Sequence, residues 1–283
     1  IDPFKTILFG FAFSPSLKVN ILETSRIAYF FGAKLILLHV GEETSEKQLQ
    51  LSVILFEIEH NELSFEIKWE KGNPEETILK ICSTLKIDLL ILGALQHENK
   101  FQFYVGSLAR KLTRKVCCSV LLLIKPSDVR IPCKHVVVNG LNAPGTPLAI
   151  AQAFYVCNAL GAQQITIVEE ILPKAIAVRV KDDRTLKKAA IIKERIALRE
   201  DSRVKHIVAN LPEDLKKYPK VKTQSIFGTR GYSIGHYAEV VRADLLVMNA
   251  PQKTGVWHRI FPNDIEYILS DLPTDLLIIR PRN

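Results

Sequence analysis

Short runs that are apolar throughout alternate along the chain with longer segments in which apolar and polar positions recur at helical spacing. Lys5 to Phe13 and Lys34 to Val40 are apolar runs of strand length. Between them, Leu17, Ile21, Ala28 and Phe31 fall on one face of a helix that Gly32 ends, as glycine does just past a helix C-terminus. Lys34–Val40 is apolar on both faces, the mark of a parallel sheet covered by helices. A charged helix is predicted over Thr44–Asn61, a strand over Leu63–Trp69, a turn at Lys71–Pro74 and a helix over Glu75–Leu85, with Pro74 and the two glutamates suited to its first turn. A strand over Leu89–Leu92, a loop starting at Gly93, a helix opening at Gly106-Ser107 and a strand over Val120–Ile124 complete five strand–helix units, a doubly wound α/β domain.

The plan then repeats. Pro126–Pro132 is polar, proline-bounded and without period, so it reads as a linker. Beyond it, Lys134–Gly140 matches Lys5–Phe11, Leu160-Gly161-Ala162 matches Phe31-Gly32-Ala33, and Asp244-Leu245-Leu246 matches Asp88-Leu89-Leu90. The offset grows after Val168, which places an insertion of roughly two dozen residues between the second and third strands of the second copy. The expectation is two tandem domains, 1–127 and 128–283, each a five-stranded, mainly parallel, Rossmann-like sheet with helices on both faces.

Composition adds limits. With 47% hydrophobic and 24% charged residues the chain is globular rather than disordered, and no apolar run approaches a membrane span. Five cysteines lack metal-ligand spacing and read as buried thiols in a reducing cytoplasm. The single Met is Met248, so Ile1–Phe4 reads as a processed end, a cloning remnant or the edge of a piece of a larger protein. Basic and acidic residues balance at 15 each up to Asp128, so the whole net charge of +8 lies beyond it, much of it in Arg179–Lys205. Without aromatic interleaving, that run reads as a solvated helix face rather than a nucleic-acid or membrane patch.

The chemistry concentrates in one loop. Gly93-Ala94-Leu95-Gln96 is followed by nine residues, His97 to Val105, and then by Gly106-Ser107 at a helix start. Glycines let backbone N–H groups approach phosphate oxygens, and a helix N-terminus adds positive partial charge. Ser107 reads either as part of such a cradle or as the helix N-cap. This loop, with the opening strand ending Phe13-Ser14-Pro15 and the strand LILLHV after FGAK, resembles the universal stress protein family in its tandem form. The family's loop, G-x-x-G-(nine residues)-G-S/T, is matched at three of four positions, Gln96 standing for the middle glycine. The resemblance implies the adenine nucleotide alpha hydrolase-like fold and ATP or AMP bound in domain one by Val40, Gly93, Gln96, Gly106, Ser107 and Leu108. The family's aspartate after the first strand is Ala12 here, which implies weakened binding. In the second copy Leu141 and Glu169 replace the aspartate and Val40, and the loop positions become Asn249, Gln252, Pro262 and Asn263, so that site reads as lost.

Gly228–Gly235 looks like a second phosphate loop but lies where Gly72-Asn73-Pro74 lies in the first copy, so a turn with close packing is the simpler reading. His39 and His135 read as packed residues, His97 as a loop residue, and Trp257 as filling the second copy's nucleotide space. No catalytic constellation emerges from spacing. The resemblance therefore implies a cytoplasmic stress-response binding or signalling protein, its copies packed through Val120–Ile124 and Leu276–Ile279 as a pseudo-dimer, with a homodimer a further option. A nucleotide-independent module that engages a protein partner and a slow ATP hydrolase are the alternatives.

Overall fold

The computed structural model describes residues 1–58, 62–96, 103–217, 219–250 and 263–282. The strands are β1 (Thr6–Phe11), β2 (Lys34–Val40), β3 (Phe65–Glu70), β4 (Leu89–Gly93), β5 (Leu95–Gln96), β6 (Phe103–Tyr104), β7 (Ser119–Leu123), β8 (His135–Asn139), β9 (Gln164–Ile171), β10 (Lys220–Phe227), β11 (Leu245–Asn249) and β12 (Asp275–Ile279). The helices are α1 (Leu17–Phe31), α2 (Ser45–Phe56), α3 (Pro74–Thr84), α4 (Ser107–Lys115), α5 (Thr146–Leu160), α6 (Asp183–Ala209), α7 (Tyr232–Val240) and α8 (Asn263–Ser270). Two differences from the sequence reading stand out. The charged helix stops at Phe56, and the glycine-started loop carries a small antiparallel ribbon, β5 on β6.

Ten strands form one sheet in the order β10-β9-β8-β11-β12-β7-β4-β1-β2-β3. Within each half the pairing is parallel and the order doubly wound; the halves meet where β12 runs antiparallel to β7, Leu277 opposite Leu121. The repeat is legible in the hydrogen bonds. Asp88 accepts from the N–H groups of Lys5 and Thr6, both at 2.8 Å, and Asp244 does the same for Lys134 and His135 at 2.7 and 2.8 Å. Each aspartate ties the start of its half's fourth strand to the start of the first. At the seam the Ile124 N–H donates to Asp275 Oδ1 and the Arg280 N–H to Ser119 Oγ, two further equivalent contacts.

Helices cover both faces. α1, α2, α5 and α6 pack on one side through residues such as Ile21, Leu51, Phe154 and Val204; α3, α4, α7 and α8 pack on the other through Ile81, Leu112, Ile234 and Leu269. Local signals set the boundaries. Asn73 Oδ1 accepts from the N–H groups of Glu75 and Glu76 to cap α3, and Gly32 and Gly161 end α1 and α5 in the left-handed conformation. The inserted segment is mainly α6, opened by an Asp182–Thr185 capping box. Only Glu200 and Val204 of α6 are buried, so most of the basic run faces solvent as expected. No helix among the described residues is long and apolar enough to cross a membrane.

Candidate functional site

In the first half β1 lies between β2 and β4. The connections leave β1 and β4 toward opposite faces, which opens a crevice at their C-terminal ends, where ligands of doubly wound sheets bind. Gly93 ends β4 and Val40 ends β2 on either side of it. Asn20, in the first turns of α1, reaches the same place. Its side-chain N–H donates to Ser16 O at 2.8 Å, while its buried Oδ1 has no hydrogen-bond partner among the described residues. A Cβ on Gly93 would sit 3.2 Å from that oxygen, so glycine is what lets the two approach.

Across the crevice stands α4. Gly106, not Ser107, is its N-cap, with extended backbone and no side-chain capping bond; this corrects the capping alternative for Ser107, which is the first helical residue and exposed. The first intrahelical bond runs from Arg110 N to Gly106 O, leaving the N–H groups of Ser107, Leu108 and Ala109 directed out of the helix end. They could meet an anion. The cations of α4 face elsewhere: Lys111 and Lys115 pair with Glu75, and Arg110 and Arg114 with Glu266 of α8. Among the described residues of α4, a phosphate at this end would meet backbone N–H groups, the helix dipole and the exposed Ser107 rather than a cation.

Two features fit a nucleotide less well. Leu95 Cδ1 would be 2.8 Å from a Cβ on Gly106, so this side chain lies over the helix start. At the ends of β1–β3, Phe13 stacks on Trp69 (centroids 5.9 Å apart) and His39 stacks on Phe11 (5.5 Å), with Lys47 above Phe13. His39 Nδ1 lies 3.1 Å from Phe11 O and the residue is buried, a packed histidine. Gln96 lies on β5, and its partner Phe103 belongs to β6; His97 lies outside the described residues.

The loop is also held by the other half of the molecule. Val105 N donates to Leu269 O at 3.0 Å and Leu272 N to Phe103 O at 2.9 Å. These contacts, with Asn20 and Glu266, are absent from any local reading. Asn20 alone left a signal, a polar residue within the apolar stripe of α1.

At the equivalent strand ends of the second half, charged side chains lie beside Gly140, which follows β8. Arg203 of α6 donates to Gly140 O, pairs with Glu200 at 2.9 Å and lies 3.9 Å from Glu169. Glu169 is buried and accepts from Ser225 Oγ at 3.0 Å; burial, followed by the nearby Glu200 and Asp201 carboxylates, outweighs Ser225 and Arg203 and pushes its carboxyl up to about 7. Asn249 packs on Gly145 as Asn20 packs near Gly93. Gln252, Pro262 and Trp257 lie outside the described residues. The Gly228–Gly235 segment has its own anion: Glu170 accepts from Gly231 N at 3.2 Å and Ile234 N at 2.9 Å, at the start of α7. The turn reading holds there, and the anion at that helix start is internal.

The model of the universal stress protein family matches residues 3–123. No curated protein matches the chain significantly. Among solved structures, a functionally unknown protein from Pseudomonas aeruginosa PAO1 is similar with a TM-score of 0.72 at 16% identity, over 99% of this chain and 93% of that one. A universal stress protein from Archaeoglobus fulgidus is similar with a TM-score of 0.63 at 16% identity, over 97% and 98%. The cytoplasmic domain of a prokaryotic cation chloride cotransporter is similar with a TM-score of 0.53 at 13% identity, over 97% and 94%. At these identities the likeness is one of fold.

Proposed function

From the match of residues 3–123 to the model of the universal stress protein family, we propose that the chain is a stress-response binding protein of that kind whose first half takes up an adenine nucleotide. The phosphates would lie on the N–H groups of Ser107 and Leu108, with Gly93 below, the base near the backbone of Val40, and Gln96 contributing backbone only. The observation that carries the reading is Asn20: a buried amide oxygen without a hydrogen-bond partner among the described residues, beside Gly93, at the strand ends where this fold binds ligands. An orphaned buried acceptor costs stability unless a donor reaches it, and a ribose hydroxyl is such a donor. In the second half Arg203 reaches Gly140 O and lies near Glu169, charged side chains beside the strand ends that favour loss of that site.

Calorimetric titration of the whole chain with ATP and AMP is the test. Saturable binding that Gly106→Asp abolishes and Asn20→Leu weakens about tenfold is the expected result; no binding of either nucleotide overturns the reading. ATP turnover dependent on Gly106 would instead make the protein a slow hydrolase. A second reading, a nucleotide-independent module for a protein partner, is favoured by Leu95 over Gly106 and by the Phe13–Trp69 stack.

A further inference from the structure

A cavity of about 390 Å³ lies away from both crevices, over the β7–β12 seam on the face covered by α1 and α5. Its walls come from both halves and are apolar at Phe30 and Phe31 of α1, Leu121 and Leu123 of β7, Leu160 of α5 and Leu277 of β12, with Glu23, Arg26, Asp244 and Asp275 among the polar lining. The linker roofs it. Arg26, almost fully buried, donates to the carbonyls of Ser127 and Asp128 and pairs with Glu23, whose carboxylate also accepts from Ser127 N. That clamp holds the roof in place, so the space is a built feature of the fold, and it falls within the roughly 300–1,000 Å³ of small-molecule sites.

The charges around it are unequal. Of the carboxylates, Glu23 is matched by Arg26, and Asp244 accepts two backbone N–H groups. Asp275 accepts from Ile124 N, and burial first, then Glu23 and Asp244, pushes it up to about 7. Three exposed cations on the rim, Lys125, Arg130 and Arg242, have no carboxylate partner among the described residues; Arg130 lies against the Phe30 ring at 4.7 Å and Lys125 against Phe103 at 5.4 Å. A largely apolar chamber whose inner carboxylates are already engaged, under rim cations without carboxylate partners among the described residues, suits a molecule with a hydrocarbon body and a negative head.

We propose that this seam cavity is a second binding site, separate from the nucleotide crevice, for a small amphipathic carboxylate of the medium-chain fatty acid type. The hydrocarbon would fill the space between α1 and α5, and the carboxylate would meet Arg130 and Arg242. Because both halves line the site, its occupant would bridge them.

Titration of the whole chain with decanoate, with decanol as the uncharged control, tests this. Saturable one-to-one binding of decanoate is expected, tighter than decanol. The rim double variant Arg130→Glu/Arg242→Glu should weaken decanoate by about tenfold or more, leave decanol unchanged and leave ATP titration as in the wild type. Both side chains are exposed, so the fold tolerates the change, and thermal melting checks it. Cys133→Trp, which fills the chamber from the linker side, should abolish binding of both. No saturable decanoate binding, equal binding of decanol, or a rim variant that binds decanoate normally each overturns the proposal.

Discussion

Glu170 accepts two backbone hydrogen bonds at the start of α7 while buried, so Glu170→Ala strips that helix end of a side-chain acceptor. A loss of about 1–3 kcal/mol is expected in urea unfolding. Its neighbour Glu169 behaves differently. Its carboxyl moves from an ordinary 4.5 to about 7 on folding, so between those values the native state binds more protons than the unfolded chain, and stability falls as pH rises. Glu169→Gln should flatten that fall, gaining at most about 3 kcal/mol above pH 7, as read by denaturation at several pH values. In the first half, Ala12 is exposed at the end of β1; under the proposed function Ala12→Asp adds an acceptor for a ribose hydroxyl and should tighten ATP by about tenfold in calorimetry. None of these acidic roles shows in the linear chain. A pair of glutamates closing an otherwise apolar strand is the one visible sign, and only the arrival of α6 and α7 separates their environments.

At the level of elements, much was legible because its causes are local. The period of α1, the proline and asparagine opening α3 and the glycines ending α1 and α5 act within a few residues, and the structure follows them. The ribbon of β5 and β6 was not legible. Its strands are two residues each, too short to show a period, and it is fixed by Leu269 and Leu272, more than 150 residues away. The candidate site divides the same way: Gly93 and Gly106 are readable by spacing, Asn20 and Leu95 only through tertiary approach. The same dependence yields a test. Glu266 holds both Arg110 and Arg114, so Glu266→Ala should free α4 from α8. Amide exchange at Val105 and in the first turn of α4 should quicken, while global stability drops by only about 1 kcal/mol, as partly exposed ion pairs contribute little.

For the whole molecule the seam decides. Leu121, Leu122, Leu276 and Leu277 pair across it and are buried, so each half alone would present an apolar edge strand to water. Residues 1–127 expressed alone should therefore self-associate, β7 against β7, in light scattering, and Leu121→Lys should return that piece to a monomer. Antiparallel pairing at the seam also has a directional result. The C-terminal strand ends of one half point toward one rim of the sheet and those of the other half toward the opposite rim, so the two crevices open at opposite rims. A side chain placed at one crevice, as Arg203 of α6 is beside Gly140, therefore does not reach the other. A duplicated chain laid out this way is free to keep a receptor at one pole and turn the other into plain masonry.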